Sequence, residues 1–435
     1  MESVDVPVGL LGYGTVGSAV DRLLTEGADE IERATGHRLR VVRALVREPA
    51  RERAFRPADG VLTTDFAAIR DDASIALVAE VTGGLEPTGT RVLELLGAGK
   101  PVVTANKQLV ARRGAELFAA ATAAGVQLRF EASVCAAIPV IKVLRESLVA
   151  SNVHRVLGIV NGTTNFMLTR MEEGLAYAEA LSEAQRLGYA EADPTEDVTG
   201  ADAAAKMAIL ATVAFGSRVA FDEVDYAGID TLTPGQVAAA RRLALKPRLI
   251  GSATLVDGRL DVRVRPSLVD AGHPLAAVTG AFNAVMLQGD AIREITLEGP
   301  GAGGLETASA VVADLVSIVG TAGTGFLHDE PAWRVLERLP GGELRSPFYL
   351  HLEIADRPGV LARVTERLAA HELSVARLIQ DQRGEGAVLH VVLHEAAEGA
   401  VLAALAEIGE LEESRGRPSA LPVVSDRGVA GMGWA

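Results

Sequence analysis

Short apolar runs alternate with stretches of helical periodicity along the first third of the chain. Val6–Leu11 has strand length and apolar character, runs into Gly12-Tyr13-Gly14-Thr15-Val16-Gly17, and is followed by helical spacing at Val20, Leu23 and Leu24. Leu39–Val46 predicts a second strand, and Ile75–Val81 a third that ends in Thr82-Gly83-Gly84. A helix from about Thr88 to Ala98 stops at Gly99, where a left-handed residue closes a helix well. Pro101–Thr104 predicts a short strand, a helix through Leu117 to about Ala124 follows, and Gln127–Ala132 predicts one more strand. Such alternation indicates a doubly wound parallel sheet.

Beyond Ile138 the pattern changes. Ile138–Leu148 predicts a helix, Val153–Val160 a strand, and then three helices at Asn165–Glu173, Ala176–Leu187 and Ala201–Phe215. Strands are expected at Arg248–Leu255, Leu260–Pro266, Asn283–Gln288 and Ile292–Leu297, making a sheet covered by helices. Gly301–Gly320 is glycine-rich and then helical, and this helix is expected to return onto the first domain. Leu339-Pro340-Gly341-Gly342-Glu343 has the composition of a linker. The run 348–424 then predicts a compact βαββαβ unit, with a loose tail at 425–435. The expected domains are 1–137 (completed by a helix at about 303–322), 138–302, a linker at 323–347, and 348–424.

Composition narrows the class. With 435 residues there is room for several domains of about 100–200 residues each. A hydrophobic content of 49% excludes wholesale disorder. The formal net charge of −15 argues against nucleic acid as the main partner, since phosphate binding needs a basic face. The single cysteine, Cys135, excludes a disulfide framework and any Cys-based zinc site. The start Met1-Glu2-Ser3-Val4-Asp5 lacks the basic stretch of a signal peptide, and no run of 18 apolar residues occurs. A cytoplasmic protein without a membrane partner is the expectation. Only five of the 42 basic residues are lysines: Lys100, Lys107, Lys142, Lys206 and Lys246. In an arginine-biased chain, a lysine marks places where an amine able to exchange its proton is wanted.

Gly12-x-Gly14-x-x-Gly17 between a strand and a helix is the setting of the dinucleotide fingerprint. The first glycine permits the tight turn, the second lets a pyrophosphate approach the backbone, and the third lets helix and strand pack closely; a glycine-rich turn without ligand is the plain alternative. An NAD enzyme usually ends its second strand with an acid for the ribose hydroxyl. Here Leu45-Val46-Arg47 ends it, with Arg51 and Arg53 nearby, which suits a 2′-phosphate and favours NADP, with NAD the alternative. Thr104-Ala105-Asn106-Lys107 follows a strand, at the end that faces the ligand crevice, and a helix dipole gives no electrostatic reason for a lysine there. Asn161-Gly162-Thr163-Thr164-Asn165 offers small polar groups, either for capping a helix or for binding.

Gly188-Tyr189-Ala190-Glu191-Ala192-Asp193-Pro194-Thr195-Glu196-Asp197 leads to Asp202 and Lys206, four residues apart on one helix face. An exposed pair of that kind contributes about 0.3–0.5 kcal/mol and means little. The apolar neighbours Ala203–Ala205 and Met207 instead describe a buried helix, where an Asp–Lys pair needs a stronger reason. The acids just upstream suit a substrate ammonium. His390 and His394 fall on strand-like sequence, which disfavours helical metal-ligand geometry, and His154 reads as structural.

On these residues the chain resembles the homoserine dehydrogenases over nearly its whole length. Ala184-x3-Gly188-Tyr189-Ala190-x2-Asp193-Pro194-x2-Asp197-x2-Gly200-x-Asp202-x3-Lys206 fits the family signature at every fixed position. Gly83-Gly84, Thr104–Lys107, Glu131–Val134, Asn161–Asn165 and Gly299–Gly304 match in order, and Leu352–Leu361 resembles an ACT domain. No kinase domain stands ahead of these motifs, as in the monofunctional form. The resemblance implies reversible reduction of L-aspartate 4-semialdehyde to L-homoserine with NAD(P)H, on the route to threonine and methionine. It implies Lys206 as the acid/base, Lys107 at substrate and nicotinamide, and Glu191 and Asp202, with Asp197 and Thr163, around homoserine. Along the cofactor it implies Gly12, Gly14, Thr15, Val16, Gly17, Arg47, Gly83, Thr104, Lys107, Gly188 and Gly303. A structural sodium ion would map to Glu131, Val134, Ala136 and Ile138. Many members carry two glycines where this chain has Ala136-Ala137, so any need for positive φ there would be strained. L-Threonine is the expected effector of the ACT unit, docking its carboxylate at Asp356–Gly359, and a homodimer or homotetramer the expected assembly. Two rivals remain: another amino-aldehyde or hydroxy-acid dehydrogenase, and a non-catalytic amino-acid sensor.

Overall fold

The computed structural model describes residues 4–230, 232–320, 336–383 and 386–424. In chain order the first elements are β1 (Val4–Leu11), α1 (Thr15–Glu26), α2 (Ala28–Thr35), β2 (His37–Leu45), β3 (Leu62–Thr63), α3 (Ala67–Arg70), β4 (Leu77–Glu80), α4 (Thr88–Gly97), β5 (Val102–Thr104), α5 (Lys107–Ala124) and β6 (Leu128–Arg129). Then come α6 (Val140–Lys142), β7 (Val153–Ile159), α7 (Gly162–Glu172), α8 (Tyr177–Arg186), α9 (Thr195–Val198), α10 (Ala201–Phe215), β8 (Asp225–Tyr226) and α11 (Pro234–Arg242). The rest are β9 (Leu245–Val256), β10 (Arg259–Asp270), α12 (Pro274–Ala277), β11 (Phe282–Gly289), β12 (Arg293–Pro300), α13 (Gly304–Gly320), β13 (Arg345–Ser346), β14 (Phe348–Ala355), α14 (Val360–Ala370), β15 (Val375–Arg383), β16 (Gly386–Leu393), β17 (Ala396–Ala397), α15 (Glu398–Gly409) and β18 (Ser419–Val424). The chain forms two units. One comprises 1–156, 204–224 and 283–335, the other 157–203, 225–282 and 336–435.

The first unit is built on a six-stranded sheet of order β3-β2-β1-β4-β5-β6, parallel throughout. Its central strands β1, β4 and β5 are largely buried on both faces, which is why they read as continuous apolar runs. Val8, Leu10, Leu77 and Val103 form its core with Val20 and Leu24 of α1 and with Ala308, Val311 and Leu315 of α13. The late helix thus returns to the first sheet, as its sequence predicts. Two local expectations fail. Gln127–Ala132 yields only the two residues of β6, because the chain turns at Phe130 into a single 3₁₀ turn at Glu131–Ser133. The helix expected at Ile138–Leu148 is α6 followed by a π turn at Val143–Ser147, closed by Leu148 N–H donating to Val143 O (2.9 Å).

The second unit carries a mixed sheet of order β9-β10-β18-β14-β16-β15. β9 and β10 are a long antiparallel hairpin turning at Asp257-Gly258. The C-terminal unit is βαββαβ, as read from its pattern. Alternate residues of β14 and β16 (Leu350, Leu352 and Ile354; Leu389, Val391 and Leu393) pack against Val364 and Leu368 of α14 and Val401 and Leu405 of α15. Its last strand, β18, pairs antiparallel with β14 and parallel with β10 (Leu268 opposite Val423), so that unit's sheet is continuous with the β9–β10 hairpin. Most of the expected 323–347 linker, up to 335, and the 425–435 tail lie outside the described residues. No helix among the described residues is long and apolar enough to cross a membrane.

Candidate active site

In the first unit, the carboxyl ends of adjacent strands converge. Gly12 has φ +100, and the turn it makes leads into α1, whose first ladder bond runs from Ser18 N–H to Gly14 O (2.9 Å). The amides of residues 15–17 therefore precede the ladder, and Gly14 caps the helix without a side-chain bond. A Cβ on Gly17 would lie 2.3 Å from Gly12 O, whereas one on Gly14 would meet nothing within 4 Å. Gly17 is thus required by packing, and Gly14 leaves the helix end open. The Tyr13 hydroxyl donates to buried Asp21 (2.5 Å), anchoring the turn in the core, and burial pushes the Asp21 carboxyl up.

The turn after β4 abuts the first one, with Val81 and Thr82 against Gly12. It is held by Glu80, fully buried, whose Oε1 accepts from Thr82 N–H (2.7 Å), the Thr82 hydroxyl (2.7 Å) and Gly83 N–H (3.1 Å). Its Oε2 accepts from the Thr104 hydroxyl (2.6 Å). Glu80 thereby fixes both Gly83 and Thr104. The sequence hides it as the polar end of an apolar run. Asn106 caps α5 through Leu109 N–H and donates to Gly84 O (2.6 Å), so Lys107 begins α5 beside the same turn. Gly304, at the head of α13, comes against Thr15, which brings Gly303 to the start of α1. Gly12–Gly17, Gly83, Thr104, Lys107 and Gly303 thus gather at one end of the sheet, where doubly wound folds bind nucleotides.

Arg47 is exposed, two residues past β2. Arg53 is spent on main chain: it donates to Tyr13 O (3.2 Å), Pro49 O (2.9 Å) and Glu48 O (2.7 Å), latching the 48–53 loop to the glycine turn. Arg51, Arg53 and Arg56 line a surface cavity of about 490 Å³ in residues 49–62. Lys206, 9% exposed, also belongs to this unit, on the buried helix α10. α5 and α10 line a common apolar cavity of about 220 Å³ through Val110, Ala111, Ala208 and Ile209, and Lys107 and Lys206 each stand within one turn ahead of that lining.

The expected sodium ligands form a tight loop in which Cys135 (φ +55) and Ala136 (φ +40) take the left-handed conformation despite their side chains. Of the two positions where glycines are missing, Ala136 takes the positive φ and Ala137 does not. The Glu131 carboxylate accepts from Ile141 N–H and Lys142 N–H (2.8 Å each), so both its oxygens face the start of α6. Glu131 N–H donates to Asp314 (2.9 Å). Burial, then the neighbouring Asp314, raises the Glu131 carboxyl to about 7. No group of three or more His, Cys, Asp or Glu among the described residues is arranged to hold a metal ion. With the Glu131 carboxylate already accepting from two amides, the loop gives no support to the sodium ion that the resemblance implies.

In the second unit, Asn161 caps α7 and bridges two acids. Its Nδ2 donates to Asp197 (2.6 Å) and Asp202 (2.8 Å). Asp202 is 5% exposed, which removes the surface-pair reading of Asp202 and Lys206, one helical turn apart on α10. Thr163 donates to Tyr189 O (2.5 Å), and the Phe166 and Tyr189 rings lie 5.0 Å apart, tying α7 to the acidic segment. Gly188 (φ +78) ends α8, and Glu191 is exposed on the loop beyond it. Of the site residues in this unit, Asp197 and Asp202 are brought together by Asn161, which sequence reasoning noticed only as part of a polar loop, while Thr163 is turned to the Tyr189 carbonyl. At the C-terminal unit, Gly359 (φ +90) caps α14 without a side-chain bond.

Comparison with known proteins agrees. Residues 139–316 match the family model for homoserine dehydrogenase, 12–131 that for the homoserine dehydrogenase NAD binding domain, and 349–413 that for the ACT domain. A homoserine dehydrogenase of Corynebacterium glutamicum is 42% identical over 400 residues, covering 90% of each chain. The crystal structure of a homoserine dehydrogenase from Thiobacillus denitrificans superposes with a TM-score of 0.91 at 41% identity, over 98% of this chain and 99% of that one. A hyperthermophilic archaeal homoserine dehydrogenase in complex with NADPH superposes at 0.61 and 28% identity, over 72% of this chain and 98% of that one. The nucleotide end of the parallel sheet, the signature around Lys206 and the C-terminal βαββαβ unit thus have one common source: the chain belongs to the homoserine dehydrogenase family of oxidoreductases, with an NAD-binding region, a catalytic region and an ACT domain.

Proposed function

We propose that the chain interconverts L-aspartate 4-semialdehyde and L-homoserine, on the route to threonine and methionine. The observation that carries this reading is the pair of acids Asp197 and Asp202, the second of them buried, held on Asn161, with Lys206 one turn further along α10. Asp197, Asp202, Glu191 and Thr163 bind the amino-acid end of the substrate. Lys206 holds its ammonium at the reacting oxygen, stabilises the alkoxide and gives or takes the proton. Lys107 steadies the substrate at the nicotinamide. When bound, the nicotinamide supplies or accepts the hydride. Gly12–Gly17 (with Thr15 and Val16), Gly83, Thr104, Gly188 and Gly303 hold that cofactor, the open start of α1 receiving its pyrophosphate.

NADP is the favoured cofactor. Arg47 at the end of β2 and the arginine-lined cavity beside it support a 2′-phosphate, as does the similarity to a relative bound to NADPH. The residues give no support to sodium. The domains divide at 1–137, 138–302 and 348–424. The ACT unit takes L-threonine at the start of α14, where Gly359 leaves the helix end uncapped, and the enzyme works as a cytoplasmic homodimer or homotetramer. The test is oxidation of L-homoserine with NADP and with NAD, each with and without millimolar threonine. Turnover preferring NADP and falling with threonine is expected. Equal use of the two cofactors removes the role given to the arginines, and indifference to threonine leaves the ACT unit a purely structural one. Turnover on another hydroxy acid but not on homoserine overturns the substrate.

A further inference from the structure

We infer that Glu80 is a positioning residue of the reaction: it holds the two crevice turns, 82–84 and 104–107, in one fixed relation and so sets where Lys107 stands. The inference rests on the assignment of those turns and of Lys107 to cofactor and substrate. Glu80 ends β4 and Thr104 ends β5, and the two are register partners in parallel strands, so their side chains leave the sheet on one face. Ala105 N–H donates to Glu80 O (3.1 Å), and beyond that rung side chains take over. The Thr104 hydroxyl donates to Glu80 Oε2 (2.6 Å) and accepts from Asn106 N–H (3.1 Å). Asn106 Nδ2 donates to Gly84 O (2.6 Å), and Gly83 N–H donates back to Glu80 Oε1 (3.1 Å). The bonds close a ring that runs through Glu80, Thr104, Asn106, Gly84 and Gly83.

The first turn needs such a ring. Gly83 (φ +73) and Gly84 (φ +75) are both left-handed, and a Cβ on either would meet nothing within 4 Å. Glycine reaches that conformation freely but has no strong preference for it, so the turn does not hold itself. Gly83 is gripped on both sides, its N–H by Glu80 and its carbonyl by the Thr88 hydroxyl (2.9 Å). A buried carboxyl group is costly unless donors satisfy it, and an apolar residue would end β4 at lower cost. Glu80 is fully buried, and donors from residues 82, 83 and 104 converge on it. What a carboxylate adds over an amide is a second oxygen that only accepts. One oxygen carries the first turn and the other carries the second. Lys107 follows Asn106, the cap of α5, so its backbone goes where the ring puts Asn106. A displacement of about 1 Å at a group that orients substrate is enough to cost a reaction about 10²-fold.

The test cuts the ring at one bond from both sides. Glu80→Gln keeps an oxygen for residues 82 and 83 and turns an NH₂ group on the Thr104 hydroxyl, whose own proton then loses its acceptor. Thr104→Val removes the hydroxyl at nearly constant volume. These two, their double variant, Thr104→Ser and Lys107→Ala are measured for melting temperature, for the NADPH dissociation constant by fluorescence titration, and for kcat with homoserine. Glu80→Gln and Thr104→Val are each expected to raise the dissociation constant about threefold and to lower kcat about tenfold. The double variant should lie within about twofold of the worse single one, since both cut the same bond. Thr104→Ser, which keeps the hydroxyl, should recover most of what Thr104→Val loses. A Glu80 that only stabilised the fold would lower the melting temperature and leave both constants of the folded enzyme alone. If Glu80→Gln fails to fold, the two Thr104 variants carry the test. Both constants within about twofold of wild type in the folded variants overturn the inference, as do losses that multiply in the double variant. If Lys107→Ala leaves kcat unchanged, the role given to Lys107 falls and the inference falls with it. If Lys107→Ala is impaired while the Glu80 and Thr104 variants are not, Lys107 keeps its role and Glu80 only ends a strand.

Discussion

The glycine turn and the acid cluster, the two proposed ligand sites, are built by opposite means. At Gly12–Gly17 recognition depends on side chains being absent: the helix end is bare, and the backbone provides the donors. Around Asn161 it depends on side chains being present and charged, with an amide holding two carboxylates in place. The first arrangement is broken by volume and is indifferent to pH. The second tolerates small changes of shape and is broken by a change of charge or of proton inventory.

The largest effect should come from the charged side. Lys206→Ala is expected to lower kcat at least about 10²-fold, the scale of general acid–base work, with the protein still folded. Lys206→Arg should remain similarly impaired, because guanidinium keeps the charge but does not release a proton near neutral pH. Near-wild-type turnover in steady-state assays would remove Lys206 from the mechanism.

On the glycine side, a pair of variants sharpens the contrast. Gly17→Ala drives a Cβ to 2.3 Å from Gly12 O, so it should lower the melting temperature by several degrees and abolish tight cofactor binding. Gly14→Ala meets nothing in the protein and should leave the melting temperature almost unchanged while weakening cofactor binding about tenfold by titration calorimetry. Equal cofactor affinity in Gly14→Ala would mean the pyrophosphate does not approach that residue.

Glu131 offers a middle case, a carboxylate held by backbone amides instead of side chains. Its pKa rises on folding from about 4.5 to about 7, so the folded state binds more protons than the unfolded between those values. Stability therefore falls as pH rises through that window. Glu131→Gln should flatten this part of the pH dependence of the melting temperature, by the equivalent of a few kcal/mol at most. An unchanged slope would assign the dependence to other groups, Asp314 first. The smallest expected effect is at Arg47: Arg47→Ala should raise KM for NADPH a few-fold more than for NADH, and equal changes would move the 2′-phosphate to Arg51 or Arg56.

What could be read from the sequence followed the range of the interaction. Strand, glycine turn and helix are consecutive, so the nucleotide end of the sheet was legible at Val6–Gly17. The βαββαβ order of 348–424 was legible for the same reason, since each element buries one face against its near neighbours. The helix α2, which follows α1, and the short β6 were not. Ala28–Thr35 is mostly polar with one buried residue, and at the end of β6 the Phe130 ring packs on Phe118 of α5 while the Glu131 amide bonds Asp314 of α13, about 180 residues on. In the site, Lys206 and Asp202 could be read from one helix. Asn161 and Glu80 could not, because their roles consist of partners brought in by the fold, and in isolation each looks like an ordinary residue at the edge of a strand.

The shared strand β18 changes how the C-terminal unit can be studied. Cutting the chain near Leu344 removes more than the proposed effector site. It takes the partner from Leu268 and Val269 of β10, and it takes Glu398 from Arg263, a buried guanidinium left with Asp261 and no second carboxylate. A shortened enzyme would expose a bare sheet edge, the kind of surface that recruits a neighbouring chain and precipitates. Loss of threonine response in such a fragment would then be confounded by loss of solubility. Point substitutions at the head of α14, which leave β18 seated, are the cleaner way to test the proposed effector site while keeping the scaffold intact.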